Sequence, residues 1–392
     1  MTKYKLPLGF RDYFGSVAQS KVQVENYLTA LFAALGYSQI ETPLLEDQTV
    51  FEQYSLTNED VYRVLGPNGE VLVLRPDLTL PIARFLATTN IELPQKFAYI
   101  GSIFKRKREL MGFSNQEAQA GVELVGYASL KAELECIYLV NKLNTELLEN
   151  KLYLELGHAN FAQEVLARLA IPLQEQEAIK QALFTKDLPK YEQLIQAYSK
   201  QELFSFLKLW PRLFGSLTEV AADLAKVKLP ADLQAKCQTI LNLGKLVAKL
   251  PNQEVRVDLT SSAPQDYYTG VTFKAYLPTE SAYLVSGGRY DKLLNTFQAQ
   301  QVPAVGMGID LDLLAQLVIE KDQPGRQVKK QLYCETKQLK QALAIVEQTP
   351  DLTLSLATSL QAARLLAKKK GEKLQILTDK GELVDDIENS VD

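Results

Sequence analysis

Val24, Leu28, Leu31, Phe32 and Leu35 recur at helical spacing, and Gly36 supplies a stop after them. "YSQIETPLLE" then reads as extended chain, with Pro43 marking a sheet edge or bend. "EVLVLRPDLTLPIARFL" reads as a strand, a turn and a short helix. Residues 97–104 and 118–125 alternate as two strands joined by a charged loop containing Gly112 and Asn115. From Ser129, an expected N-cap, "SLKAELECIYLVNKLNTELL" is a long amphipathic helix. "KLYLELG" is a further strand. Residues 160–250 are almost wholly helical in pattern, with breaks at Pro172, Pro189, Pro211 and Pro230, and read as an inserted helical subdomain. Strand patterns return in "EVRVDLT", "VTFKAYL" and "AYLVS". "GGRYD" follows as a turn with two glycines at a strand end, and then "AVGMGIDLDLLAQLVIE". Strands grouped apart from helices predict an α+β domain around an antiparallel sheet. "EKDQPGRQVKK" reads as a linker. The boundaries expected are residues 1–325 for the large domain and 326–392 for a small α/β appendage.

Composition narrows the class. A chain of 392 residues with 46% apolar and 23% charged positions has the make-up of a soluble globular protein. No apolar run is long enough to span a bilayer, and "MTKYKLPLGFRDYFG" lacks the apolar core of a secretion signal. Cys136, Cys237 and Cys334 are too scattered for a metal knuckle and too few for a disulfide framework, which suits a reducing cytoplasm. The formal charge of −4 leaves no overall basic surplus for neutralising phosphates, so nucleic-acid binding is not expected. With one histidine, His158, metal sites needing two imidazoles are excluded. His158 could act as a general base, but no serine or cysteine motif surrounds it. The plainer reading is a histidine capping or filling a strand-to-helix turn.

The candidate chemistry sits at strand ends. No GxxxxGK[ST] phosphate cradle occurs, "GMG" at 306–308 suits close backbone packing, and "KKK" at 368–370 suits a solvated helix face. In "RPDLT", Asp77 offers an anion and Thr79 a hydroxyl beside a turn. In "QAGVELVG", Gln119, Gly121 and Glu123 share one strand face, and Gly121 leaves room for a ligand to approach the backbone. In "DYYTG", Tyr267 and Tyr268 precede a turn. Two carboxylates, an amide, a hydroxyl and phenols suit a ligand with a protonated amine and a second nitrogen donor, such as an amino acid with a basic ring. Ordinary sheet-surface polarity is the other reading.

In order along the chain, "LGYSQIETPLLE", "LRPDLTLPIAR", "FAYIGSIFKRKREL…QAGVELVG", "DYYTGVTF", "VSGGRYDKLL" and "AVGMGIDLDLL" resemble the motifs of class II aminoacyl-tRNA synthetases, most of all the histidyl enzymes. The resemblance covers residues 5–320. It implies an antiparallel sheet of the six-stranded type flanked by helices, and dimerisation through the first motif. It also implies a histidine pocket in which Asp77 and Thr79 meet the amine. Gln119, Glu123, Tyr267 and Tyr268 complete the pocket, with Glu123 and Tyr268 at the imidazole. Asp77 stands for a glutamate and reaches one methylene less far.

The synthetase's cations carry over badly. Its motif 2 arginine falls at Lys105, which keeps the charge as a candidate phosphate or carboxylate contact but lacks the bidentate fork. The arginine and aromatic residues of the following loop are replaced by "GFSNQEA". The arginine before the double tyrosine falls at Ala263, and the motif 3 arginine falls near Leu313. One such donor is worth roughly 3 kcal/mol at a transition state, so losing several together removes adenylation.

A kept pocket without its cations resembles the regulatory subunits of short-form ATP phosphoribosyltransferases. That resemblance implies no catalytic residue, no metal and no cofactor in this chain, and a short catalytic subunit as partner. It further implies L-histidine as feedback effector on the first step of histidine biosynthesis, and a dimer inside a cytoplasmic hetero-oligomer without a membrane. A tail carrying Asp385, Asp386 and Glu388 makes tRNA an unexpected partner. Two alternatives stay open: a divergent histidyl-tRNA synthetase, and an RNA-binding paralogue without amino-acid sensing.

Overall fold

The structure is a computed structural model that describes residues 4–52, 61–106, 114–297, 301–321 and 329–386. The loop at 107–113, residues 322–328 of the expected linker, and Glu388 lie outside the described residues. The chain divides into two compact units, residues 1–320 and 321–392.

Unit one opens with α1 (Ser16–Ala34), which buries Val24, Leu28 and Phe32 on one stripe and ends where Gly36 takes φ 77°. β1 (Ser38–Gln39) and β2 (Leu45–Asp47) flank Pro43 and enter different sheets. β2 joins β3 (Arg63–Leu65) and β4 (Val71–Leu74) in a three-stranded sheet, and α2 (Thr79–Thr88) follows the turn after β4.

The main sheet takes β5 (Gln95–Phe104), β6 (Gln116–Val125), β7 (Tyr153–His158), β8 (Phe214–Ser216), β9 (Glu254–Asp258), β10 (Val271–Tyr276), β11 (Val285–Arg289) and β12 (Ala304–Asp310). With β1 its order is β1-β5-β6-β12-β11-β10-β7-β9-β8. The run from β5 to β7 is antiparallel throughout, six strands as the synthetase resemblance implied. β1 is added parallel to β5, and β9 parallel to β7. Alternation sorts the faces. Ala120, Val122 and Leu124 of β6, with Val305, Met307 and Ile309 of β12, enter the apolar core. Ile137, Val140 and Leu143 of α3 (Lys131–Glu146) line that core from the helix side. The opposite face of β6 and β12 carries Gln119, Gly121 and Glu123 against Gly306 and Gly308.

Several elements differ from their sequence reading. α3 is capped by Leu130; Ser129, one residue earlier, accepts the Lys131 N–H at 3.3 Å. The helical insertion comprises α4 (Phe161–Ala167), α5 (Leu173–Phe184), α6 (Leu188–Ile195), α7 (Phe204–Leu209), α8 (Leu217–Leu224) and α9 (Ala231–Val247). It also contributes β8 to the sheet edge, where Gly215 opposes Val257. Pro172 and Pro230 are the caps of α5 and α9, and Pro189 sits in the first turn of α6, where a missing N–H costs nothing.

The strand expected at "AYLVS" begins only at Val285 and continues through "GGR", so Gly287 and Gly288 are strand residues rather than a turn, and neither has positive φ. A Cβ on Gly287 would stand 2.4 Å from the Phe273 ring, and one on Gly288 2.8 Å from the Val271 carbonyl. Close approach, not backbone freedom, requires glycine there. His158 ends β7 opposite Val271, while Asn160 is the cap residue of α4. Burial, with Lys236 nearby, lowers the His158 pKa to about 4, and its Nδ1 has no hydrogen-bond partner among the described residues.

α10 (Leu311–Lys321) closes unit one, so Glu320 and Lys321 of the expected linker are helical. Unit two holds β13 (Lys330–Tyr333), α11 (Leu339–Gln348), β14 (Leu352–Leu354), α12 (Leu360–Lys370), β15 (Lys373–Leu377) and β16 (Leu383–Asp385), in the sheet order β14-β13-β15-β16. Ala342 of α11 packs with Leu332 and Leu352, and Ala363 and Ala367 of α12 pack with Tyr333 and Leu374. Lys368, Lys369 and Lys370 form the exposed last turn of α12, where the helix dipole favours cations. The acidic end is not a free tail over its described part. Asp386 is buried and holds Arg364 through two bonds of 2.8 and 2.9 Å, and Asp385 accepts from Gln375 at 2.7 Å.

Among the described residues, no helix is long and apolar enough to cross a membrane, and no cluster of His, Cys, Asp and Glu could hold a metal ion.

Candidate functional site

The turn between β4 and α2 is fixed by Arg75. Its guanidinium is buried and donates to the carbonyls of Ser102 at 2.9 Å and Thr42 at 2.5 Å. Gly101 makes this possible, since a Cβ there would meet the guanidinium at 2.4 Å. The turn presents Asp77 and Thr79 to the sheet. Asp77 Oδ1 accepts the Leu80 N–H at 2.8 Å, which ties the carboxylate to the first turn of α2. Thr79 donates its hydroxyl to Glu123 Oε1 at 2.7 Å.

Glu123 is only 1% exposed, and its second oxygen accepts from the Tyr290 hydroxyl. The glycines of β12 create the space: a Cβ on Gly306 would fall 1.7 Å from Glu123 Oε2, and one on Gly308 2.4 Å from Gln119 Nε2. Tyr267 donates to Asp77 at 3.3 Å, and its ring meets Tyr268 edge-on at 5.0 Å and Tyr290 at 5.8 Å. These side chains border a recess of about 300 Å³, counting its mouth, with Gln265, Ser286 and Met307 completing the wall.

The structure thus brings Asp77, Thr79, Gln119, Glu123, Tyr267 and Tyr268 to one recess. Lys105 stands outside this wall, half-buried just beyond β5, with its N–H donating to Asn115 at 2.9 Å. Its charge still reaches Asp77 and favours that carboxylate. Ala263 packs against the apolar cluster that contains Tyr267 and Tyr268, and Leu313 packs against the main core. Arg289 of "GGRYD" is committed elsewhere, forking onto buried Glu133 through two bonds of 2.7 Å. Gly121 does not open the backbone to a ligand as its sequence position suggested. A Cβ there would lie 2.3 Å from the Tyr99 hydroxyl, so the glycine accommodates that phenol.

Tyr99 and Tyr290 were missed as site residues. The register shows the signal that could have found them. Phe97, Tyr99 and Gly101 oppose Glu123, Gly121 and Gln119 and therefore share their face. Read as strand instead of turn, "GGRY" likewise sets Gly288 and Tyr290 in alternation on that side.

Electrostatics make the recess acidic and rich in neutral donors. Burial, reinforced by the nearby Asp77 charge, raises the Glu123 pKa to about 8 against the opposing hydrogen bonds from Tyr290 and Thr79. Burial also raises Asp77, opposed first by the Leu80 N–H and then by Lys105. Burial and these two carboxyls push Tyr99, Tyr267 and Tyr268 well above the ordinary phenol range, and burial with Glu123 alone of the two does the same to Tyr290. An incoming ammonium or ring N–H would meet two acids that have no cation at contact distance among the described residues, and would relieve the cost of their burial.

Comparison with known proteins fits this geometry. The histidyl-tRNA synthetase family profile matches residues 9–314. A crystal structure of histidyl-tRNA synthetase from a Nostoc species superposes with a TM-score of 0.77 at 17% identity, over 98% of this chain and 97% of that one. Profile and fold together define a protein of class II synthetase architecture and of the histidyl type. A Bacillus halodurans structure described as an ATP phosphoribosyltransferase regulatory subunit/histidyl-tRNA synthetase also gives 0.77, at 22% identity over 96% of this chain and 98% of that one. The ATP phosphoribosyltransferase regulatory subunit of Limosilactobacillus fermentum is 47% identical over 386 residues, 98% of this chain and 100% of that protein. The chain belongs to the family of ATP phosphoribosyltransferase regulatory subunits.

Proposed function

We propose that this chain is a non-catalytic regulatory subunit of the short-form ATP phosphoribosyltransferase. In this reading it supports a short catalytic subunit in the first step of L-histidine biosynthesis and binds L-histidine for feedback inhibition. Asp77 and Thr79 take the ligand's amine, Gln119 and Tyr267 flank it, and Glu123 with Tyr268 meets the imidazole. Lys105 is the one carried-over cation. The chain works in the cytoplasm as a dimer within a hetero-oligomer, with no tRNA partner.

The observation that carries the reading is a pair of carboxyls, Asp77 and Glu123, brought together among phenols around one recess. The non-catalytic part rests on Ala263 and Leu313 standing where the resemblance calls for arginines, since transferring an adenylyl group needs fixed cations around the phosphates. The relative from Limosilactobacillus fermentum, named a regulatory subunit, supports the same role.

Two measurements on the purified chain test it together. Titration calorimetry should show heat with L-histidine, and ATP–pyrophosphate exchange in the presence of histidine should be absent. Exchange at a synthetase-like rate would return the chain to the enzymes. The lack of any histidine heat or thermal shift would remove the effector, since saturation at a hundred times Kd should add about 2.7 kcal/mol of stability.

A further inference from the structure

The recess has acids but no cation among its described wall residues. Asp77 and Glu123 face it from the start of α2 and the middle of β6, and the rest of the wall is uncharged. Three of the described cations near it are engaged elsewhere. Arg75 holds backbone carbonyls, and Arg289 forks onto Glu133. Lys274, paired across the strands with wall residue Ser286, reaches the Ser262 carbonyl at 3.4 Å and Glu155 at 3.8 Å. Lys105 lies outside the wall, and its charge acts on Asp77. A carboxylate brought into this recess would be desolvated with no cation among the described wall residues to offset that cost, and would lie beside the Asp77 and Glu123 carboxyls.

We propose that the recess reads the amine and the imidazole of its ligand but not the carboxylate, which stays turned toward water at the mouth. Its ligand class is then imidazole-bearing primary amines, of which the amino acid is one member. This rests on the reading of the recess as a histidine site and adds which end of the ligand is recognised. An ammonium and a ring N–H satisfy Asp77 and Glu123, whereas the carboxylate contributes only repulsion.

The test is titration calorimetry on the full chain at about pH 6.5, below the ordinary α-amine range of about 7.7 to 8.0. The probes are L-histidine, L-histidinamide and imidazolelactate, which carries a hydroxyl in place of the amine. Histidinamide should bind as tightly as histidine or tighter, and imidazolelactate at least about tenfold more weakly, the loss expected for one charge-assisted hydrogen bond. Histidinamide binding more than about threefold more weakly than histidine would overturn the proposal, as would tight binding of imidazolelactate. Lys105→Met provides a second arm. The ratio of the histidine and histidinamide affinities should not change; a loss confined to histidine would assign the carboxylate to Lys105 and overturn the proposal. If histidine itself fails to bind, the underlying site assignment falls instead, so the two failures are distinguishable.

Discussion

Glu123 shows how one buried carboxyl can dominate a site. Both of its oxygens already accept hydroxyls, from Thr79 and Tyr290, yet burial still leaves its pKa near 8. Glu123→Gln should weaken L-histidine binding about ten- to hundredfold, because a hydrogen bond to a charged group is worth about 1.5–3 kcal/mol. Calorimetry giving an unchanged affinity would move the ring contact to another residue. Tyr290→Phe removes a neutral donor worth about 0.5–1.5 kcal/mol and should cost about two- to tenfold.

The same carboxyl sets a pH dependence in the empty protein. Its folded pKa lies above the ordinary 4.5, so between 4.5 and about 8 the folded chain holds more protons than the unfolded one. Its contribution to stability is therefore fully present at low pH and is lost as pH rises through that window. Thermal melts of Glu123→Gln should show a flatter decline there than the wild type. Parallel slopes would mean that Glu123 is not the group responsible.

At the scale of elements, glycines decide how closely the strands and side chains of the site can pack. Gly306→Ala puts a Cβ 1.7 Å from the Glu123 carboxyl in the middle of the sheet. It should abolish histidine binding and cost about 1–3 kcal/mol in denaturant unfolding, as overpacking does. Unchanged binding would show that Glu123 can leave Gly306 freely. In unit two, Arg364→Ala leaves the buried Asp386 carboxylate without its fork. The cost should be about 1–3 kcal/mol, below that of a fully buried pair because Arg364 keeps 34% of its side chain exposed. Hydrogen exchange at β15 and β16 should accelerate, and unaltered protection would contradict it.

Most of these elements were readable because one face of each is apolar. The 3.6-residue stripe of α1 and the two-residue alternation of β5 and β6 needed no tertiary information. "GGR" was not readable in this way. A glycine required by the Phe273 ring across the sheet looks identical in sequence to one required by a turn. For the same reason β8, three residues long, was invisible until β9 offered it an edge. The recess was half legible: Asp77, Thr79, Gln119 and Glu123 stood out as polar groups at strand ends, whereas Tyr99 and Tyr290 depended on register.

For the whole molecule, fold alone separates nothing. A synthetase at 17% identity shares the architecture over 98% of this chain, and the structure described as a regulatory subunit/histidyl-tRNA synthetase shares it over 96%. In the proposed reading the difference in chemistry comes down to a few positions where the resemblance calls for arginines, occupied by a lysine at 105, an alanine at 263 and a leucine at 313. A ligand held there can regulate a partner only through different affinities for two states of the complex. We place histidine sensing in this recess. The most direct test is the activity of the complex with the short catalytic subunit, titrated with L-histidine for wild type and Glu123→Gln, each scored against its own uninhibited rate. The variant's midpoint of inhibition should rise about ten- to hundredfold. A variant complex still inhibited at the wild-type histidine concentration would contradict it.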